Sequence, residues 1–125
     1  MKLRFQRFQR LLSAKEFTPV FNEPTHKLSD RSFLLLARPS CTSAPARLGL
    51  VVAKKNLKRA VDRNRFKRLV RQRFRLMQHE LNGLDIVVLA RRGAEQTIYS
   101  ELDDRLVRQF SKLAAYHQRT LTSMS

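Results

Sequence analysis

The segment from Arg59 to Leu81 constrains the fold most, because it contains neither glycine nor proline and is long enough for about six helical turns. At about 100° per residue, its large apolar residues fall within one sector about 80° wide. This apolar stripe consists of Phe66, Val70, Phe74, Met77 and Leu81, with Leu69 on its flank. The pattern predicts an amphipathic helix whose apolar side covers a sheet.

The opposite side of the same predicted helix is strongly basic. It carries a set that we call the basic strip: Asn64, Lys67, Arg68, Arg71 and Arg75. Exposed helix faces usually interleave carboxylates four residues from their cations, and this strip has none. Arg73 falls inside the apolar stripe, so we expect its long side chain to extend to the solvent.

Three short apolar runs predict the strands that the helix covers. Residues 33–37 and 48–53 are separated by a segment rich in proline, serine and threonine, which predicts two strands joined by a loop. A third run, residues 85–90, is rich in β-branched residues and follows the helix-stopping pair Asn82-Gly83, so it predicts a central strand.

Two further helices are predicted at the ends of the chain. Residues 13–16 have the form of a capping box, which indicates a first helix over about 13–22, and Pro19 is expected to kink it. Apolar residues recur every three or four positions from Ser100 to about His117, which predicts a last amphipathic helix. We interpret His117 as a packing residue of that helix.

The size and charge of the chain predict one basic domain. The 125 residues, of mass 14.7 kDa, are expected to form a single domain over 1–125, with a basic leader at about 1–10 and a frayed tail at about 120–125. The net charge is +16, and residues 47–75 hold twelve basic residues and one acidic residue. Charge concentrated in this way predicts a polyanionic partner.

Several classes of protein are disfavoured by residue types that the sequence lacks. Cys41 is the only cysteine, which excludes a disulfide framework within the chain and favours a reducing compartment, so we expect a cytoplasmic protein. The three histidines lie far from one another in sequence, so no metal site bound by protein side chains is expected. No run of about 18 apolar residues is present, and no membrane partner is expected.

Nucleic-acid binding is the function that these observations favour. A basic amphipathic helix could also lie on a membrane, but the predicted strands need its apolar face as their cover. A protein nuclease would need clustered carboxylates or a paired acid and base. The closest carboxylates, Glu101, Asp103 and Asp104, are interpreted as favourable charges at a helix N-terminus, so no catalytic residues are predicted.

The basic segment closely resembles the signature of a known family. Residues 53–56 read Ala-Lys-Lys-Asn, and residues 59–71 contain Arg63-Asn64-Arg65, the hallmark of the bacterial ribonuclease P protein subunit. The resemblance extends in the family's order through residues 17–21, 47–50 and 85–93, and covers about residues 5 to 117. The sequence of the central helix is most similar to that of the gammaproteobacterial branch of the family.

This resemblance implies a specific α+β fold. The expected element order is αβββαβα, with a four-stranded mixed sheet and a left-handed βαβ crossover through the Arg-Asn-Arg helix. Periodicity alone would predict the right-handed crossover that dominates elsewhere. The fourth strand, which the apolar runs do not reveal, is expected to be short and to lie near Thr25 to Leu28.

The resemblance also implies an endoribonuclease in which the RNA partner, holding Mg²⁺, is the catalyst. The protein, monomeric when alone, would help that RNA to remove the 5′ leader of precursor transfer RNA (tRNA). Phe17 and Phe21 would bind the leader, although core packing is an alternative for both. The residues implied to bind the catalytic RNA are Lys54, Lys55, Arg59, Arg63, Asn64, Arg65, Lys67, Arg68, Arg71 and Arg75. A ribosomal-type or general RNA-binding protein is the alternative function.

Overall fold

The computed structural model describes residues 19–39, 45–95 and 97–124. Residues 19–22 are helical and precede the other elements. The strands are β1 (His26–Ser29), β2 (Phe33–Pro39), β3 (Arg47–Val51) and β4 (Leu84–Ala90). The central helix spans Ala60–Met77, the last helix spans Tyr99–Met124, and short 3-10 turns span Gln78–Leu81 and Arg92–Ala94. This order confirms the predicted α+β class.

The four strands form one mixed sheet in the order β1-β2-β4-β3. β1 and β4 both pair antiparallel with β2, whereas β3 pairs parallel with β4. The central helix connects those two parallel strands, as expected, and the left hand of this crossover stays a prediction. The fourth strand is His26–Ser29, close to its predicted position, and β4 lies inside the sheet as expected.

The two faces of the sheet carry different layers because side chains alternate along each strand. On one face, Phe33, Leu35, Ile86 and Val88 join the main core. The buried members of the central helix in that core are Phe66, Leu69, Val70 and Phe74, which confirms the predicted apolar stripe. Leucine and phenylalanine residues of the last helix complete the same core.

The opposite face of the sheet holds a smaller apolar cluster beneath the first helical residues. Val20 is buried against Leu36 and Val87 there. The backbone N–H of Glu23 donates to the carbonyl of Pro19 at 3.0 Å, so the helical turn closes despite the proline. Residues 13–18 of the predicted first helix, its kink, and the predicted basic leader at 1–10 lie outside the described residues.

The last helix is longer than the sequence pattern predicts. We expected it to end at about His117, whereas it runs to Met124, through residues interpreted as a tail. No glycine or proline follows His117, so nothing in the backbone chemistry ends the helix there. His117 is 2% exposed, and its Nε2 donates to the Asn82 carbonyl at 2.7 Å, which confirms its packing role.

The loop after β4 fixes where the last helix begins. The backbone of Gly93 lies so close to the β1–β2 turn that a Cβ there would be 2.1 Å from the carbonyl oxygen of Arg31. The Thr97 hydroxyl lies 2.6 Å from the Gly93 carbonyl, to which it donates, and 2.7 Å from the Ser32 hydroxyl. Tyr99, two residues later, is therefore held in a defined position beside the central helix.

Candidate nucleic-acid interface

The start of the central helix and the loop before it are tied together by a residue of the predicted site. Nη1 of Arg63 donates to the carbonyls of Leu57 and Lys58, at 2.9 and 2.8 Å. Arg63 is half-buried, and these two bonds occupy one of its terminal nitrogens. These hydrogen bonds stabilise the loop, a role of Arg63 that the sequence pattern did not indicate.

The same loop is anchored to the sheet, which fixes the backbone that carries its lysines. The side-chain amide nitrogen of Asn56 donates to the carbonyl of Ala90, at the end of β4, at 2.9 Å. Lys54 and Lys55 lie immediately before this anchor, and both are exposed. They extend the positive surface beyond the N-terminal end of the central helix.

The basic strip lies on the exposed side of the central helix, as predicted. Lys67 is half-buried, and the other four members are exposed. Among the described residues, no carboxylate lies within ion-pair distance of Lys67, Arg68 or Arg75. Arg59 is exposed as well, with Asp62 at 3.9 Å.

The described carboxylates that form ion pairs do so away from Lys67, Arg68 and Arg75. Carboxylates of the described residues pair with other cations, as Asp62 does with Arg59 and Asp103 with Arg73, and none of the ion pairs involves Lys67, Arg68 or Arg75. Lys67, Arg68 and Arg75 therefore present positive charge on one helix without a compensating carboxylate in the part of the chain that the structure describes. A surface of this kind attracts a polyanion and releases its counterions on binding.

Arg73 does not end in solvent as its place in the apolar stripe suggested. Its guanidinium makes two hydrogen bonds to the carboxylate of Asp103 on the last helix. Those bonds lower the pKa of Asp103 below its usual range and raise that of Arg73. Asp103, which the sequence placed simply at a helix N-terminus, is thus the partner that lets Arg73 pack between two helices.

The other face of the sheet offers a second surface beside the first helical residues. Phe21 is 39% exposed and follows the buried Val20. Across the strands, Arg38 and Arg47 lie opposite Asp85, and Arg47 binds its two carboxylate oxygens at 2.8 and 2.7 Å. Strand register brings these residues together, so the sequence alone did not reveal them. Phe17 lies outside the described residues.

Metal-ligating side chains do not cluster in the described part of the chain. Within 19–39, 45–95 and 97–124, no three histidine, cysteine, aspartate or glutamate side chains are grouped so that they could hold a metal ion. No helix in this part of the chain is both long and apolar enough to cross a membrane. What the described surface does provide is positive charge on a rigid helix.

Comparison with known proteins assigns these features to one family. The family model described as "Ribonuclease P" matches residues 5–114. The ribonuclease P protein component of Saccharophagus degradans is 47% identical over 89% of this chain and 87% of its own length. That of Photorhabdus laumondii is 48% identical over 95% of each chain.

Solved structures agree with the fold and with the family. The ribonuclease P protein of Staphylococcus aureus, 23% identical, shares the fold with a TM-score of 0.70 over 87% of this chain and 94% of its own. The Thermotoga maritima protein is 30% identical, with a TM-score of 0.66 over 76% of this chain and 91% of its own. The family match over most of the sequence, the close relatives and the shared fold give one conclusion: the chain belongs to the ribonuclease P protein family.

Proposed function

We propose that this protein subunit binds the catalytic RNA of ribonuclease P through the basic strip and the neighbouring Lys54 and Lys55. The observation that carries the proposal is the row of cations on the exposed side of the central helix, of which Lys67, Arg68 and Arg75 have no carboxylate within ion-pair distance among the described residues. Arginine suits this role because its planar guanidinium can make two parallel hydrogen bonds to a phosphate. The rigid helix keeps these groups at fixed spacing, which favours a structured RNA over a flexible one.

The 5′ leader of precursor tRNA is proposed to lie on the opposite face of the sheet. Phe21 supplies an aromatic surface there, and Arg38 and Arg47 lie across the strands, paired with Glu23 and Asp85. A single strand can stack its bases on an aromatic ring, and its phosphates can compete with those carboxylates for the two arginines. The sheet separates this face from the central helix, so one small protein can hold two RNA segments at once.

The chemistry in this proposal belongs to the RNA partner. Phosphodiester hydrolysis by a protein needs a metal cluster or a positioned acid and base, and the described residues contain no such metal cluster. Mg²⁺ is therefore proposed to be held mainly by the RNA, with the protein as a monomer that neutralises phosphates and positions the substrate. We place this assembly in the cytoplasm.

Reconstitution tests the proposal directly. The full chain, the cognate catalytic RNA and the two together are each given precursor tRNA in Mg²⁺ buffer, and the released leader is measured. We expect cleavage by the mixture, stimulation over the RNA alone at low Mg²⁺, and none by the protein alone. A general RNA-binding protein would bind many RNAs equally and give no specific stimulation, and cleavage by the pure protein would equally overturn the proposal.

A further inference from the structure

A groove lies where the central helix passes the start of the last helix, next to the basic strip and partly shared with it. Its walls are Val61, Asn64, Arg65 and Arg68 on one side and Tyr99 on the other, and its volume is about 750 Å³. Val61 is 50% exposed and Tyr99 is 41% exposed. Exposed apolar groups in a concave, cationic surface are typical of a binding site for an anion with an apolar portion.

The aromatic ring in this groove is held in place. The guanidinium carbon of Arg65 lies 5.8 Å from the centre of the Tyr99 ring, within the range of a cation–π contact. The loop before Tyr99 is fixed by the hydrogen bonds of Thr97 described above. The anchored loop fixes the backbone just before the ring, and arginine beside the ring strengthens the stacking of a ligand on it.

The charges around the ring define which part of a ligand lies where. A small cavity of about 90 Å³ shares Arg65 and Tyr99 with the groove, and Asp62 and Glu95 are among the residues that line it. Those carboxylates repel a phosphate, whereas Arg68, which lines the groove and not the small cavity, attracts one. A phosphate is therefore directed toward Arg68 and the apolar part of the ligand toward Tyr99.

We infer that this groove binds one unpaired nucleotide of the catalytic RNA, with its base stacked on Tyr99 and its phosphate at Arg68. The nucleotide must be unpaired, since a base inside a helix already has both faces covered. The groove shares Asn64 and Arg68 with the basic strip, so the RNA bound there is the nearest source of such a base. The inference rests on the proposed binding of the catalytic RNA and adds a contact on a second helix.

Four variants of the full chain test the role of the ring. Tyr99→Phe keeps the aromatic face, Tyr99→Leu keeps apolar bulk without it, and Tyr99→Ala removes both. Ile98→Ala is the matched control, because Ile98 is 67% exposed and is not among the residues that line the groove. Binding of each variant to the cognate catalytic RNA is measured over a range of salt concentrations, beside a thermal melt.

We expect Tyr99→Ala and Tyr99→Leu to weaken binding by about 5-fold to 150-fold, the range for loss of one stacked base. Tyr99→Phe and Ile98→Ala should bind like the original chain. The slope of affinity against salt should stay unchanged in all four, because no cation is removed. A photoreactive phenylalanine analogue at position 99 should crosslink to one nucleotide in a loop or bulge of the catalytic RNA.

Other outcomes would overturn the stacking site. Unchanged affinity of Tyr99→Ala, equal binding by the Leu and Phe variants, or a crosslink in a paired region or in precursor tRNA would each exclude it. If Tyr99→Ala melts at a lower temperature, the difference in affinity between Tyr99→Leu and Tyr99→Phe decides whether a base stacks on the ring. Failure of the unsubstituted chain to bind the catalytic RNA would instead refute the proposed function, so the two failures are distinct.

Discussion

Removing two adjacent cations of the basic strip should change how RNA binding depends on salt. In the variant Arg68→Ala with Arg71→Ala, both substitutions lie on the exposed side of the central helix and away from the buried apolar stripe. A matched control is Arg108→Ala with Lys112→Ala, which removes the same charge from exposed positions of the last helix. The two variants differ in location and not in net charge.

The size of the effect follows from counterion release. Each phosphate that a cation neutralises contributes about 0.7 to 0.9 to the slope of log affinity against log salt. Two lost contacts should therefore flatten the slope by about 1.4 to 1.8. Between about 50 and 200 mM salt, the affinity advantage of the original chain over the variant should shrink by about 7-fold to 12-fold.

Equilibrium binding of the cognate catalytic RNA at several salt concentrations measures this slope. Thermal melts should show little change for either variant, because substitutions at exposed positions usually alter stability by less than about 0.5 kcal/mol. The control should keep a slope close to that of the original chain. Equal flattening of the slope by both variants would refute the reasoning, because it would show a response to net charge and not to local contacts. An unchanged slope in the strip variant would refute it as well.

Three further predictions concern other parts of the molecule. Gly93→Ala should destabilise the fold by about 1–3 kcal/mol, because its Cβ would collide with the backbone of the β1–β2 turn, and an unaltered thermal melt would contradict this. Asp103→Asn should lower stability at neutral pH by about 0.2–1 kcal/mol through loss of the pair with Arg73. The pair depresses the pKa of Asp103 in the folded state, so its contribution to stability is present above the ordinary pKa of 3.8 and is lost as the pH falls through the folded-state pKa. The melting temperatures of the two proteins should therefore converge in acid. A difference in melting temperature that stays constant with pH would exclude this linkage. Phe17→Ala and Phe21→Ala should each weaken holoenzyme binding to precursor tRNA by about 5-fold to 150-fold while sparing mature tRNA, as competition binding would show; equal losses for both tRNA forms with a lower melting temperature would indicate core packing instead.

The sequence alone determined the elements that depend on local pattern. The apolar stripe of the central helix could be read from its period, because burial on one side of a helix repeats every three or four residues. β4 could be recognised as a central strand from its β-branched run. The charge of residues 47–75 indicated a polyanionic partner, and the Arg63-Asn64-Arg65 motif indicated the family.

Boundaries were less predictable where no residue type marks them. The first short strand, His26–Ser29, has only four residues and weak alternation, so it came from the family resemblance and not from periodicity. The last helix passes beyond His117 because the sequence offers no stop signal, and the apolar pattern that suggested an end there reports burial and not backbone conformation.

Only the tertiary structure decided which polar groups meet. Arg73 and Asp103 are thirty positions apart in sequence, and they pair because their two helices pack on the same face of the sheet. Strand order and register place Arg38 and Arg47 on either side of Asp85, and the anchored loop after β4 brings Tyr99 beside Arg65. These contacts join residues distant in the chain, and their geometry depends on the sheet order and helix packing, which local propensity and periodicity do not encode.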